Sequence, residues 1–475
     1  MALTKVVISV AGNTTTASSL EMRDFLTAFD LDRANIKSIA VYHEDGGLII
    51  DICLNVKEHK CPVCSTTTTR IKGYCMKRVR HSVLNPVSCM INYRARRYVC
   101  PMCGKTFMED NPFVVDKLKI SVATVYNVLQ ELKRPEATFT YVAKKYHISP
   151  SSVANIFDNH VNVSRRELPV CLSFDETYAF KSDDSDYICV LLDYIDKKIV
   201  DILPSRRKRY LIDYFYHIPL EERLNVKYVT FDMWHTYQTV AKLMFPNSVG
   251  IIDKFHLLQE LSRRVQRVRI DIQNDHKSII DKLKAKTDKL KENNEKLDPE
   301  SQEKLRNAEI NYYLLKKFNW VLFSNDPKIQ EPNEEKKYNR FIGRYLNLYD
   351  IYNMLIEIDE TLAEAIYIND EVHDFYRDTK YEDAKDKLEE LIIMCRTSNI
   401  KQIQDFSKTL TNWKPEIINS FIKLPFINRK ANNALIENRN KTIKLIKHSA
   451  NGYTCWSRFR NRVLYTLNDD VPIKF

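Results

Sequence analysis

Two Cys-X-X-Cys pairs constrain this chain more than any other feature of its sequence. Cys61-Pro-Val-Cys64 and Cys100-Pro-Met-Cys103-Gly stand 35 residues apart. A pair of this spacing sets two thiolates on one side of a tight turn. Two such turns supply four sulfurs tetrahedrally around Zn²⁺, at about 2.3 Å each. Four protein ligands close the coordination shell, so Cys61, Cys64, Cys100 and Cys103 predict one structural Zn²⁺ and not a catalytic one. The plainer alternative is four unpaired core thiols. Seven of the chain's eleven cysteines lie between Cys53 and Cys103. An odd cysteine count in a chain of 475 residues argues against a disulfide framework. Cys53, Cys75 and Cys89 fall outside the pairs and read as buried thiols.

The segment that carries the pairs is basic. Residues 57–108 hold 5 Lys, 6 Arg and one acid, Glu58, a net +10 against +11 for the whole chain. Arg94, Arg96 and Arg97 alternate with Tyr93 and Tyr98 on a strand-like run. A rigid zinc-held ribbon with interleaved Arg and Tyr makes a phosphate-binding surface. A solvated basic face without a ligand is the alternative. Ahead of the ribbon, Ser38–Tyr42 and Leu48–Ile52 are β-like runs, with Gly46-Gly47 between them as a hairpin turn.

Residues 138–160, TFTYVAKKYHISPSSVANIFDNH, follow. Val142, Ala143 and Tyr146 form one apolar helical face, and His147-Ile148-Ser149 a short turn. Ser149 reads as an N-cap with Pro150 at the first helical position. Val153, Ile156 and Phe157 then face inward on a second helix. This is the pattern of a DNA-reading helix pair. Its outward positions Ser151, Ser152 and Asn155, with Lys144 and Lys145 on the preceding helix, are the candidate DNA contacts. Any compact helical hairpin remains the alternative.

Other classes are excluded. With 8 glycines the chain has little material for a phosphate loop, and neither GxGxxG nor GxxxxGK[ST] occurs. No stretch approaches the ~18 consecutive apolar residues of a membrane helix. The apolar run at residues 6–12 is shorter than a signal-peptide core, so an intracellular protein is expected.

Beyond Leu168 the pattern becomes strand-like. Val170–Glu176, Tyr187–Asp193 and Lys198–Leu203 read as an antiparallel meander. Lys227–Trp234 and Ser248–Ile252 are further strands, and Asp175, Asp232 and Asp253 stand at strand ends. Carboxylates gathered at neighbouring strand ends repel one another unless a cation neutralises them. Mg²⁺ with oxygen ligands suits phosphoryl transfer. Taken singly, an Asp after a strand is as well explained as a turn former or helix cap.

The combination resembles the DDE transposases of bacterial insertion sequences, specifically the ISL3 family. The resemblance runs from about residue 57 to 466. It rests on CPVC…CPMCGKTFME at 61–109, VAKKYHISPSSVANIFD at 142–158, LSFDETYAF at 172–180, VTFDMWHTY at 229–237, IIDKFH at 251–256 and ALIENRNKTIKLIKHSANGYTCWSRFRNRVLY at 434–465. It implies a multidomain α+β / α/β fold with a zinc ribbon, a helix-turn-helix and an RNase H-like catalytic core interrupted by a large α-helical insertion. The expected organisation is an N-terminal β-rich segment at 1–56, the zinc ribbon at 57–110, the helix-turn-helix at 117–162, core parts at 168–256 and 426–466, and the insertion at 257–425.

The resemblance also implies catalytic acids at Asp175, Asp232 and Glu437, the last 205 residues beyond the second. Glu176 and Asp253 lie near the motifs with lower priority. These three acids would hold two Mg²⁺ or Mn²⁺ ions for strand cleavage and transfer at terminal inverted repeats. The implied partners are double-stranded DNA, as repeat ends and target, and further copies of the chain assembled on it. No membrane partner is expected, and the protein would act in the bacterial cytoplasm, at the nucleoid. Locally, Lys423–Arg462 carries 10 Lys plus Arg and the single acid Glu437, a net +9. That suits DNA phosphates around a metal-binding carboxylate, although a surface Glu paired with Lys441 is the ordinary alternative. A catalytically inactive zinc-ribbon, helix-turn-helix regulator, derived from such a transposase, is the competing reading.

Overall fold

The structure is a computed structural model, and it describes residues 6–8, 31–82, 87–115, 119–182, 185–292, 295–324, 326–425 and 427–474. Its first sheet has six strands: β1 (Val6–Ile8), β2 (Ile36–Glu44), β3 (Gly47–Leu54), β4 (Ile71–Arg80), β5 (Cys89–Val99) and β6 (Thr106–Met108). The order is β1-β2-β3-β5-β4, with β6 on β5. Asp45 and Gly46 both take positive φ, 49° and 75°, as a tight two-residue hairpin needs. The turn therefore falls one residue earlier than the Gly-Gly pair suggests. β3 pairs in parallel with β5. The strands at 36–54 and those at 71–108 are thus one sheet. Much of the 1–56 segment, residues 1–5 and 9–30, lies outside the described residues. One side of the sheet buries Ile39, Ile52, Val79, Ile91, Tyr93 and Phe113.

Three helices follow: α1 (Val122–Glu131), α2 (Phe139–Lys145) and α3 (Pro150–His160). Ser121, Thr138 and Ser149 each accept a backbone N–H of their helix's first turn, and Pro150 opens α3. His147 turns the chain between α2 and α3 at φ 52°. Val125, Val128, Leu129, Val142, Val153, Ile156 and Phe157 form the shared interior.

The second sheet contains β7 (Cys171–Thr177), β8 (Ile188–Asp193), β9 (Ile199–Leu203), β10 (Tyr228–Phe231) and β11 (Val249–Ile252), in the order β9-β8-β7-β10-β11. β8 is antiparallel to both neighbours, whereas β7, β10 and β11 run parallel. The strands are apolar on both faces, as a sheet covered on both sides requires. Leu172, Phe174, Leu191, Val229 and Phe231 face one core, with α4 (Lys208–Tyr216) and α5 (His235–Met244). Val190, Leu192, Ile199 and Ile202 face the other, with the α1–α3 interior, α13 (Ala434–Ser449) and α14 (Trp456–Leu467).

Between β11 and α13 the chain is mainly helical. It begins with α6 (Lys254–Glu292), whose 39 residues span ~58 Å. It continues through α7 (Pro299–Lys317), α8 (Leu348–Ile356), α9 (Glu360–Asp378), α10 (Ala384–Thr397), α11 (Lys401–Asn412) and α12 (Lys414–Asn419). Leu257, Leu261 and Val265 of α6, with residues of α8–α12, join the first core. At Gly250 the helical segment approaches β11 closely. An added Cβ would lie 2.9 Å from the Phe231 ring and 3.2 Å from Glu416. Asn419 seals the contact by donating its side-chain amide to the Gly250 carbonyl at 2.9 Å. Among the described residues no helix is long and apolar enough to cross a membrane.

Candidate metal centre and nucleic-acid surface

Strand register assembles the acidic cluster. Ser173 of β7 pairs with Thr230 of β10, and their hydroxyls are hydrogen-bonded at 2.6 Å. Asp175 and Asp232 each lie two residues further along these parallel strands. Side chains two apart on a strand share a face, and neighbouring strands are about 4.8 Å apart. The two acids therefore stand side by side. The same logic applies across β10 and β11: Phe231 pairs with Ile252, which brings Asp253 beside Asp232. Three aspartates thus line up at the carboxyl ends of three parallel strands, where open α/β sheets bind ligands.

The opposite wall of the site comes from α13. Glu437 lies in its first turn, and its carboxylate meets Asp253 and His256 with all three ligand atoms within 4.8 Å of one another. His256 Nε2 is 2.9 Å from Asp232 Oδ1. Asn433, buried just before α13, donates its side-chain amide to the same Asp232 oxygen and its backbone N–H to Asp253 Oδ2 at 3.1 Å. Asn440, one turn beyond Glu437, donates to Asp175 Oδ2 at 2.7 Å. Asp175 and Asp232 thus stand together, and Glu437 is linked to Asp232 through His256 and Asp253 despite the long intervening segment. Asp253, His256, Asn433 and Asn440 join them. Of these, Asp253 has a signal of its own, a third strand-then-Asp, whereas His256 and Asn440 fall inside the motifs at 251–256 and 434–465 with no role assigned to them.

The electrostatics suit a cation. Burial, and then the neighbouring Asp232 carboxylate, push the Asp175 carboxyl up to about 8. The hydrogen bond to Asp232 raises His256 against the opposing effect of burial. Four carboxylates supply the hard oxygen donors that a divalent ion takes, with one imidazole and two amide groups beside them. Glu176 does not belong to it. It pairs with Arg206 at 2.5 Å, whose guanidinium lies over the Tyr187 and Trp234 rings at 4.1 and 4.9 Å.

The four paired cysteines also converge, with Sγ separations of 3.6 Å for Cys61–Cys103, 3.4 Å for Cys64–Cys100 and 3.5 Å for Cys64–Cys103. Sulfurs 2.3 Å from a tetrahedral ion would be ~3.8 Å apart. The two turns are near copies. In one, Cys61 N–H donates to Thr66 O and Ser65 N–H to Cys61 O; in the other, Cys100 N–H donates to Lys105 O and Gly104 N–H to Cys100 O. Ser65 and Gly104 both take positive φ. All four thiols are free of disulfides. The donor set and spacing fit zinc.

The candidate DNA contacts divide. Arg94 and Arg97 are exposed, and Arg94 stacks over Tyr74 at 4.3 Å. Arg96 is a correction. It is 1% exposed, pairs with Glu109 at 3.4 Å and donates to the Leu54 carbonyl, so it holds the sheet and presents nothing to a phosphate. Glu109 also accepts the Tyr93 hydroxyl at 2.6 Å, completing a buried polar hub. Lys144, Ser151 and Asn155 are exposed. Lys145 pairs with Glu131 at 2.5 Å, and Ser152 hydrogen-bonds the Ser149 cap at 2.9 Å, so each is already engaged.

A family model described as a transposase, the ISL3-type DDE transposase model, matches residues 172–463. The curated transposase for insertion sequence element IS1001 of Bordetella parapertussis is 20% identical over 417 residues, covering 86% of this chain and 89% of that protein.

Proposed function

The chain belongs to the ISL3 family of DDE transposases, and from that premise we propose that it binds the terminal inverted repeats of an insertion sequence and catalyses divalent-metal-dependent strand cleavage and strand transfer. One chain of contacts carries this reading: Glu437 meets Asp253 and His256, and His256 meets Asp232 beside Asp175. The sheet order β9-β8-β7-β10-β11, with only β8 antiparallel to its neighbours, supports an RNase H-like core.

Asp175, Asp232 and Glu437 would hold two Mg²⁺ or Mn²⁺ ions. Bound there, such ions supply an activated water or 3′-hydroxyl and charge stabilisation for the leaving 3′-oxygen. The chain's own part is positioning. Asn440 fixes the Asp175 carboxylate, and Asn433 ties Asp232 to Asp253. No covalent protein intermediate is required. Cys61, Cys64, Cys100 and Cys103 would hold one structural Zn²⁺, keeping Arg94 and Arg97 on a rigid phosphate-binding face. Lys144, Ser151 and Asn155 would meet the repeat DNA from α2 and α3. Joining two ends implies a multimer assembled on DNA, acting at the bacterial nucleoid.

A cleavage and joining assay on labelled terminal-repeat DNA with Mg²⁺ tests the reading. Wild type should nick at the repeat ends, and Asp175→Asn should bind the ends but leave them uncut. Wild-type cleavage by Asp175→Asn would refute the catalytic assignment. End binding by the wild type with no metal-dependent cleavage would instead favour the inactive regulator.

A further inference from the structure

We propose that Asp253, His256 and Glu437 form a nitrogen-containing divalent-metal position, adjoining a second position held by Asp175 and Asp232. The inference rests on the transposase reading and adds two ligands, Asp253 and His256, to its three acids.

The three ligand atoms already lie within 4.8 Å of one another. Metal–ligand bonds of about 2.1 Å set opposite donors ~4.2 Å and adjacent donors ~3.0 Å apart, so side-chain rotations of about 1–2 Å would close the site. Independent elements fix each group. Asp253 follows from the β10–β11 register, His256 from the first turn of α6, and Glu437 from the first turn of α13. A helix-cap role accounts for only part of Asp253. Its Oδ1 accepts the Phe255 N–H at 3.0 Å, but its Oδ2 turns into the cluster to meet Asn433. Capping explains neither the imidazole nor the further carboxylate gathered there.

Two buried amides give a second, independent sign of a missing ligand. Asn433 is 1% exposed and Asn440 6%, and each donates its amide N–H into the cluster. The Oδ1 atoms of both are buried without a hydrogen-bond partner among the described residues. A buried carbonyl oxygen without a donor is unfavourable. A coordinated water, or the ion itself, would satisfy both. One imidazole nitrogen among carboxylate oxygens favours Mn²⁺ over Mg²⁺, since nitrogen donors suit the softer transition ions.

The test is Mn²⁺ binding by the full-length protein, followed by electron paramagnetic resonance, with electron spin-echo modulation reporting nitrogen bound to the ion. Wild type should bind two Mn²⁺ per chain, one showing ¹⁴N modulation. His256→Ala, and His256→Gln, which keeps a side chain of similar reach, should lose the modulation and weaken one ion about tenfold or more. Both should retain wild-type circular dichroism and zinc content. Asp175→Asn should weaken the other ion and keep the modulation. Bound Mn²⁺ without nitrogen modulation in the wild type, or modulation that survives both His256 substitutions, would overturn this site while leaving the three-acid reading intact. No Mn²⁺ binding at all would overturn both.

Discussion

The side-chain amide of Asn440 donates to Asp175 Oδ2 at 2.7 Å, across 265 residues of sequence. The other Asp175 oxygen takes the Glu176 backbone N–H at 2.7 Å, so the carboxylate is held at both atoms. A carboxylate fixed in this way keeps its orientation before an ion arrives. Loss of such orienting partners typically reduces metal affinity or activity 10–100-fold. Asn440→Ala is therefore expected to slow single-turnover cleavage of repeat DNA by about that factor while end binding changes less than about twofold. An unchanged cleavage rate would show that Asp175 needs no such support.

The strands, the helix pair and the cysteine turns were legible because each is a local pattern: β7 to β11 follow apolar runs, and α3 follows Ser149-Pro150. The cluster was legible only in part. Asp253 was visible as a strand-end acid, but only the parallel register of β10 and β11 sets it beside Asp232. His256 and Asn433 carry no pattern that separates a ligand or its support from an ordinary polar residue. Arg96 shows the limit of periodicity. Arg94 and Arg96 have the same parity on β5, yet Arg94 is exposed and Arg96 buried. The cover over Arg96 comes from the Leu54 and Asn55 carbonyls and from Glu109, none of them on its own strand. Likewise, nothing local to residues 1–56 announces that β3 will pair with β5.

The cysteine site predicts a measurable metal content. Wild type should carry about one zinc per chain, and Cys64→Ser should lose it, because three thiolates and a hydroxyl bind Zn²⁺ far less well. Atomic emission on the purified protein reads this directly. The loss should lower thermal stability and abolish repeat binding, yet leave Mn²⁺ binding at the acidic cluster, which lies on a separate sheet. Zinc retained in Cys64→Ser would point to ligands other than these four.

Arg462 joins α14, which packs on the second sheet, to the α1–α3 helices. Its guanidinium is 1% exposed and donates to the carbonyls of Leu132, Arg134 and Ala137, the last two at 2.8 and 2.9 Å. Burial lowers its pKa from the ordinary arginine value. Arg462→Ala would strand several buried carbonyls at roughly 1–3 kcal/mol each. A loss of about 3 kcal/mol or more in urea unfolding is expected, with faster hydrogen exchange over residues 122–160. Arg462→Lys should not restore it, since a point ammonium cannot reproduce the planar fork. Full rescue by Lys would show that charge alone suffices.

His81 makes stability depend on pH. It is buried at the end of β4, with Nδ1 hydrogen-bonded to Ser121 Oγ at 2.9 Å, and so links the first sheet to the cap of α1. Burial lowers its pKa to about 4. In the unfolded chain the ring titrates near the ordinary ~6.5. Between these values the unfolded state binds more protons than the folded one, so stability rises with pH through that window and falls as the solution is acidified. The difference of about 2.5 units corresponds to roughly 3 kcal/mol, lost progressively from about pH 6.5 to 4 and constant below. At about pH 5 some 2 kcal/mol of it should be gone. His81→Gln cannot take up the proton, so its unfolding free energy should drop less than the wild type's between about pH 7 and 5. Urea titrations at the two pH values measure the difference, and parallel pH dependence in the two proteins would place the titrating group elsewhere.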